Sequence, residues 1–201
     1  MTRSLAAAVG VITSLVLFAS SVAAQDLRYE RLDPDTRARV SAVIDSARTV
    51  GLPTEPLIQR ALEGVLKGAG SDRIAAAVRR LAVDLGVARS ALGSGTSSAE
   101  LEAGVAALRA GATPTVLAHL RERRHQSLTV ALAVLADLAA RGVPVDSAAA
   151  AVLVLAPIAR DADLVEFRRA VERDIALGAP PAAATSVRLD ATARAAAPGR
   201  P

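Results

Sequence analysis

Apolar residues recur through most of the chain at intervals of three and four, the period of a helix buried along one side. Ile74, Val78, Leu81 and Leu85 form one such stripe, and Leu164, Phe167, Val171 and Ile175 another. Two runs differ in being apolar on nearly every side: residues 128–140 (LTVALAVLADLAA) and 148–159 (AAAAVLVLAPIA). A helix that is apolar all round is buried on most sides, so these two are expected to pair as a central hairpin among outer helices. Neither reaches ~18 uninterrupted apolar residues, which favours a protein core over a membrane hairpin. Pro157 is expected to kink or end the second run, because it has no N–H to donate and its ring crowds the preceding turn. The predicted helices cover 34–49, 54–67, 71–92, 98–110, 114–124, 128–141, 145–159, 162–177 and 181–195. Strand-like alternation is hardly visible. The fold class is all-α, a bundle or stack of helical hairpins with about eight helices after an N-terminal signal helix.

Between the helices one turn pattern recurs: Gly51-Leu52-Pro53, Gly68-Ala69-Gly70-Ser71, Gly111-Ala112-Thr113-Pro114, Gly142-Val143-Pro144 and Gly178-Ala179-Pro180. Gly51, Gly68, Gly111, Gly142 and Gly178 are expected to take the left-handed position that closes a helix. The apolar residue after each folds back on the last turn, and Pro, Ser or Thr starts the next helix. The glycines stand 17, 43, 31 and 36 residues apart, too unevenly for a regular solenoid but compatible with stacked hairpins. Asp33, Ser71 and Asp161 are candidate N-caps, and Ser97 with Glu100 fits the capping box. Residues 93–98 (GSGTSS) are the one flexible linker and a candidate boundary between two lobes.

The N-terminus reads as an address. Arg3 precedes an apolar stretch from Leu5 to Phe18, and Val22-Ala23-Ala24 supplies the small side chains of a signal-peptidase site. Residues 1–24 are therefore a predicted signal peptide cut before Gln25; the alternative is an uncleaved anchor. In both cases Arg3 stays cytoplasmic and the residues after 25 finish on the far side of the membrane, periplasmic or extracellular. With the signal removed, no transmembrane segment is expected. Residues 25–194 are predicted to form a single helical domain and 195–201 a frayed tail.

Composition narrows the chemistry. There is no Cys, so neither disulfides nor a thiol nucleophile is available and stability must come from the core. Aromatic residues make up 1% of the chain, which weighs against base stacking and aromatic cofactor pockets. The sequence pI near 10.8 overstates the positive charge: net charge is only +4, and with one Lys and one Tyr almost nothing titrates above neutrality. Nucleic acid is not an expected partner.

The densest positive run is Arg121-Glu122-Arg123-Arg124-His125, in which Arg121, Arg123, Arg124 and His125 are candidates for contact with an anionic surface or an acidic partner. The competing reading is that cations in a last helical turn complement the helix dipole. His119, Glu122 and His125 spell H-x-x-E-x-x-H, but on a helix they fan across roughly 120° and span about 9 Å, too far to share one ion. No metal or cofactor is expected. Asp137, alone in the most apolar helix, has Arg141 at i+4 as its expected partner. No nucleophile elbow, phosphate loop or dinucleotide fingerprint occurs, so no catalytic residue is assigned.

The expected function is contact with another macromolecule in the cell envelope, through an exposed helical groove or the Arg121–His125 run. A carrier of a small apolar or amphipathic ligand, held between the short side chains of the central helices, is the second reading, and an enzyme the third.

Overall fold

The computed structural model describes residues 32–196. The predicted signal peptide lies outside the described residues, as does the tail from 197; Ala195 and Ala196 are the last residues of a helix. Among the described residues there are nine helices and no strand: α1 (Pro34–Thr49), α2 (Glu55–Leu66), α3 (Ser71–Leu92), α4 (Ser98–Arg109), α5 (Pro114–Arg123), α6 (Thr129–Ala140), α7 (Val145–Leu155), α8 (Asp161–Ala176) and α9 (Pro181–Ala196). None is long and apolar enough to cross a membrane.

Local chemistry starts and stops these helices. The Asp33 carboxylate accepts from the Thr36 N–H at 3.0 Å and opens α1. Ser97 and Glu100 form the full capping box of α4. At α8 the cap is Arg160 rather than Asp161, and Asp163 reaches back to its N–H at 2.9 Å. Ser71 is likewise inside its helix, with the Gly70 carbonyl accepting the first α-helical bond from the Ile74 N–H. The helix expected to run to 159 stops at Leu155, two residues before Pro157.

Five corners repeat one hydrogen-bond pattern. At Gly142 the glycine N–H donates to the Ala139 carbonyl at 3.0 Å and the Val143 N–H to the Leu138 carbonyl at 3.1 Å. Gly51, Gly68, Gly111 and Gly178 make the same pair of bonds, and all five glycines have φ between 65° and 104°. This is the Schellman closure, which satisfies two helix-end carbonyls while the following apolar residue covers the last turn. At Gly93, also at positive φ, the N–H donates to the Arg89 carbonyl, and Ser94 follows instead of an apolar residue.

The chain divides into two compact units between Arg80 and Leu81, within α3, so the 93–98 linker lies inside the second unit. In the first, Val40, Ile44, Leu57, Ile58, Ala61, Ile74 and Val78 are buried together with Leu32. A side chain at Gly64 of α2 would fall 2.7 Å from Ile74 Cγ1 of α3, so this glycine permits the close approach of the two helices.

The second unit is layered. Helices α4, α6 and α8 pack side by side in one row, and α5, α7 and α9 form a second row. The first-row helices begin at Ser98, Thr129 and Asp161, so the hairpins α4–α5, α6–α7 and α8–α9 recur every ~31 residues, a period typical of helical-hairpin arrays. The uneven glycine spacing conceals this regularity. The interval from Gly51 to Gly68 holds α2 alone, and that from Gly68 to Gly111 holds the 22-residue α3, the linker and α4. Helix α6 touches α4, α7 and α8, while α7 touches α5, α6 and α9. These neighbours bury most of both helices, so that Leu132, Leu135, Leu138, Val152 and Leu155 have no exposure at all, while Ala150 and Val154 on the outer side of α7 stay exposed.

Candidate functional site

The arginine-rich run at the end of α5 does not form one patch. Arg124 is 2% exposed and its guanidinium is enclosed: Nη1 donates to the carbonyls of Ala156 and Ala159, both at 2.8 Å, Nε to the Ser127 carbonyl at 3.1 Å, and Nη2 to Asp161 Oδ1 at 2.6 Å. It holds the carbonyls left over where α7 ends before Pro157 and the start of α8. Arg121 donates to Glu100 Oε1 at 2.8 Å. Only Arg123 and His125 of the four candidate contact residues are exposed. An uninterrupted basic string in sequence is thus split by helical geometry, two of its arginines being spent on buried acceptors.

Glu100 is the centre of a second polar node. One carboxylate oxygen accepts from the Ser97 N–H and hydroxyl, both at 3.1 Å. The other accepts from Arg121 and from the Leu128 N–H at 2.8 Å, just before α6. Burial alone raises such a carboxyl, but the Leu128 and Ser97 N–H groups and the Arg121 guanidinium together outweigh it and hold Glu100 below the ordinary glutamate value. The capping box marked one half of this node in the sequence. The Leu128 bond had no sequence signal, because it joins residues 28 apart.

Asp137 pairs with Arg168 of α8 at 2.9 Å rather than with Arg141, which stands 3.7 Å from Glu172. The neighbouring helix offered Asp137 a cation closer than the one a turn along its own helix. His119, Glu122 and His125 are all exposed, and among the described residues no group of three His, Asp or Glu side chains can hold a metal ion.

Two grooves lie away from the central pair α6 and α7. One, of about 610 Å³, runs between α3 and α5 and is lined by Val83, Gly86, Val87, Ala91, Pro114 and Ala118 among others. The other, of about 680 Å³, lies between α8 and α9, with Phe167, Ala170, Ala191 and Ala195 as apolar lining and Arg160, Arg173 and Arg188 among its polar residues. Arg188 grips Asp174 through two bonds of 2.6 and 2.7 Å, and Arg160 grips Asp163 through two of 3.0 Å. Each guanidinium holds its carboxylate below the usual aspartate range.

The outer side of the second row is a face shared by three helices. Opposite the buried stripe of α7 lie Ala150 and Val154, the latter 45% exposed; opposite that of α9 lie Ala183 and Val187, the latter 62% exposed. His119 and Arg123 occupy the corresponding side of α5. Arg123 makes no ion pair among the described residues. No protein-family profile, curated protein sequence or solved structure matches the chain.

Proposed function

We propose that the protein is exported and acts in the cell envelope by holding another protein against the outer face of α5, α7 and α9. The observation that carries this reading is the side-by-side packing of those three helices. It puts four exposed aliphatic positions, Ala150, Val154, Ala183 and Val187, in a strip spread over two adjacent helices, with His119 and Arg123 exposed on the third. Stacked helical hairpins present extended surfaces of this kind, and a monomeric surface seldom keeps apolar residues together without a use for them. A partner segment with aliphatic side chains and an acidic residue fits such a strip. The N-terminal pattern ending at Ala24 supports the compartment.

Two measurements test the proposal. N-terminal sequencing of the protein from its own cells is expected to start at Gln25 in the soluble envelope fraction; an intact Met1 in the membrane fraction identifies the anchored form. A photo-crosslinking residue at Val154 or Val187 is expected to give a discrete adduct in living cells that the same residue at exposed Gln59 does not. Identical adduct patterns at all three positions, or none at Val154 and Val187, refute the contact face.

A further inference from the structure

The α8–α9 groove has chemistry unlike that of the second-row face. Its volume of about 680 Å³ lies within the range of small-molecule sites, roughly 300–1,000 Å³. Its accessible apolar lining is Ile158 with Ala170, Phe167 lying buried at its base, and the α9 side is built from residues too small to fill it: Ala191, Thr192 and Ala195. Around this apolar lining stand three guanidinium groups in unequal states. Arg160 and Arg188 each commit Nε and Nη2 to a carboxylate, Asp163 and Asp174 respectively. Arg173 instead reaches Glu166 only at 3.6 Å, beyond hydrogen-bonding distance. The groove thus combines apolar walls with one permanently charged donor whose bonds are unmade.

We infer that the α8–α9 groove binds a long-chain carboxylate, the chain lying against Ile158, Ala170, Ala191 and Ala195 and the head group on Arg173. Two neighbouring carboxylates, Asp163 and Asp174, are neutralised by fixed arginine partners, and Glu166 is the single acidic group that an incoming head group displaces from Arg173. A small anion such as phosphate leaves the apolar walls wet. A neutral chain leaves Arg173 without an acceptor. The site is separate from the proposed contact face, since neither Val154 nor Val187 lines it.

The test is titration of the purified mature protein with palmitate, hexadecanol and inorganic phosphate, followed by calorimetry. Palmitate is expected to bind one-to-one and roughly tenfold more tightly than hexadecanol, the worth of one charge-assisted hydrogen bond. Phosphate is expected not to bind. Arg173→Gln should weaken palmitate about tenfold and leave hexadecanol unchanged, erasing the preference. Ala191→Trp, at an exposed position, should fill the groove and abolish binding of both chains, with an unchanged thermal melt showing that the fold is intact. Ala195→Trp provides the same block from the next turn. Absence of saturable palmitate binding overturns the inference, as does binding that neither tryptophan variant reduces or a palmitate preference that survives Arg173→Gln. Each of these results leaves the crosslinking outcome at Val154 unaffected, so the two proposals fail separately.

Discussion

Arg124 and Glu100 are charged residues doing the work of backbone. The Arg124 fork takes the Ala156 and Ala159 carbonyls in the turn between α7 and α8. Replacing it by Met removes every donor while the Ala156 and Ala159 carbonyls stay enclosed. Each orphaned buried acceptor costs ~1–3 kcal/mol, so a loss of about 3 kcal/mol in urea unfolding is expected. Arg124→Lys should recover little of it, since one ammonium cannot serve four acceptors spread across a planar fork. Glu100 adds a pH signature. Its folded value lies below the ordinary 4.5, so its stabilisation is fully present above that value and is lost as pH falls through the lower, folded one. Glu100→Gln should therefore be less stable than the parent at neutral pH, with the two converging on acidification, as read by urea unfolding at a series of pH values. The basic run containing Arg121 and Arg124 was visible in the sequence. That both are consumed internally was not, because all their partners but the Ser127 carbonyl come from residues 21 to 37 positions away.

Corners and caps belong to the scale of elements, and here short-range chemistry decides nearly everything. A Gly followed by an apolar residue and then Pro, Ser or Thr specifies both the end of one helix and the start of the next within five residues. Hence the predicted ends fall close to the observed ones. Gly142→Ala separates conformation from packing: no atom lies within 4 Å of the added methyl, yet φ is +87°. It should cost about 1 kcal/mol through backbone strain alone. Gly86→Ala, in the middle of α3 with equally open surroundings, should do the opposite and stabilise by about 0.5–1 kcal/mol through helix propensity. Thermal melts of the two variants check the pair; the same sign in both contradicts the account. The exceptions were the end of α7, at Leu155 instead of 159, and Ser71 and Asp161, where the residue one position earlier takes the cap and the predicted cap becomes the first residue of the helix.

Across the whole molecule, the stacking of hairpins in the second unit implies graded stability. Helices α6 and α7 have a neighbouring hairpin on both sides within the array, whereas α9 belongs to the last hairpin and packs on α7 and α8. In a stack held by nearest-neighbour interfaces, amides of α6 and α7 should exchange with deuterium slowest and those of α9 fastest. A uniform rate across the three hairpins contradicts this. Leu135→Ala, at a fully buried site in α6, should cost about 3 kcal/mol. The amino-acid sequence by itself determined the helical class, the five glycine corners, the capping box and the buried stripe within each all-apolar run. Each depends on residues a few positions apart, or on the side-chain periodicity of one helix. Only the tertiary structure decided that the hairpins form two rows, that Asp137 meets Arg168, and that Arg124 turns inward. Those features depend on which helix faces which. Many helices here present similar faces of Ala, Leu and Val, so the choice rests on packing between segments tens of residues apart, which local periodicity does not encode.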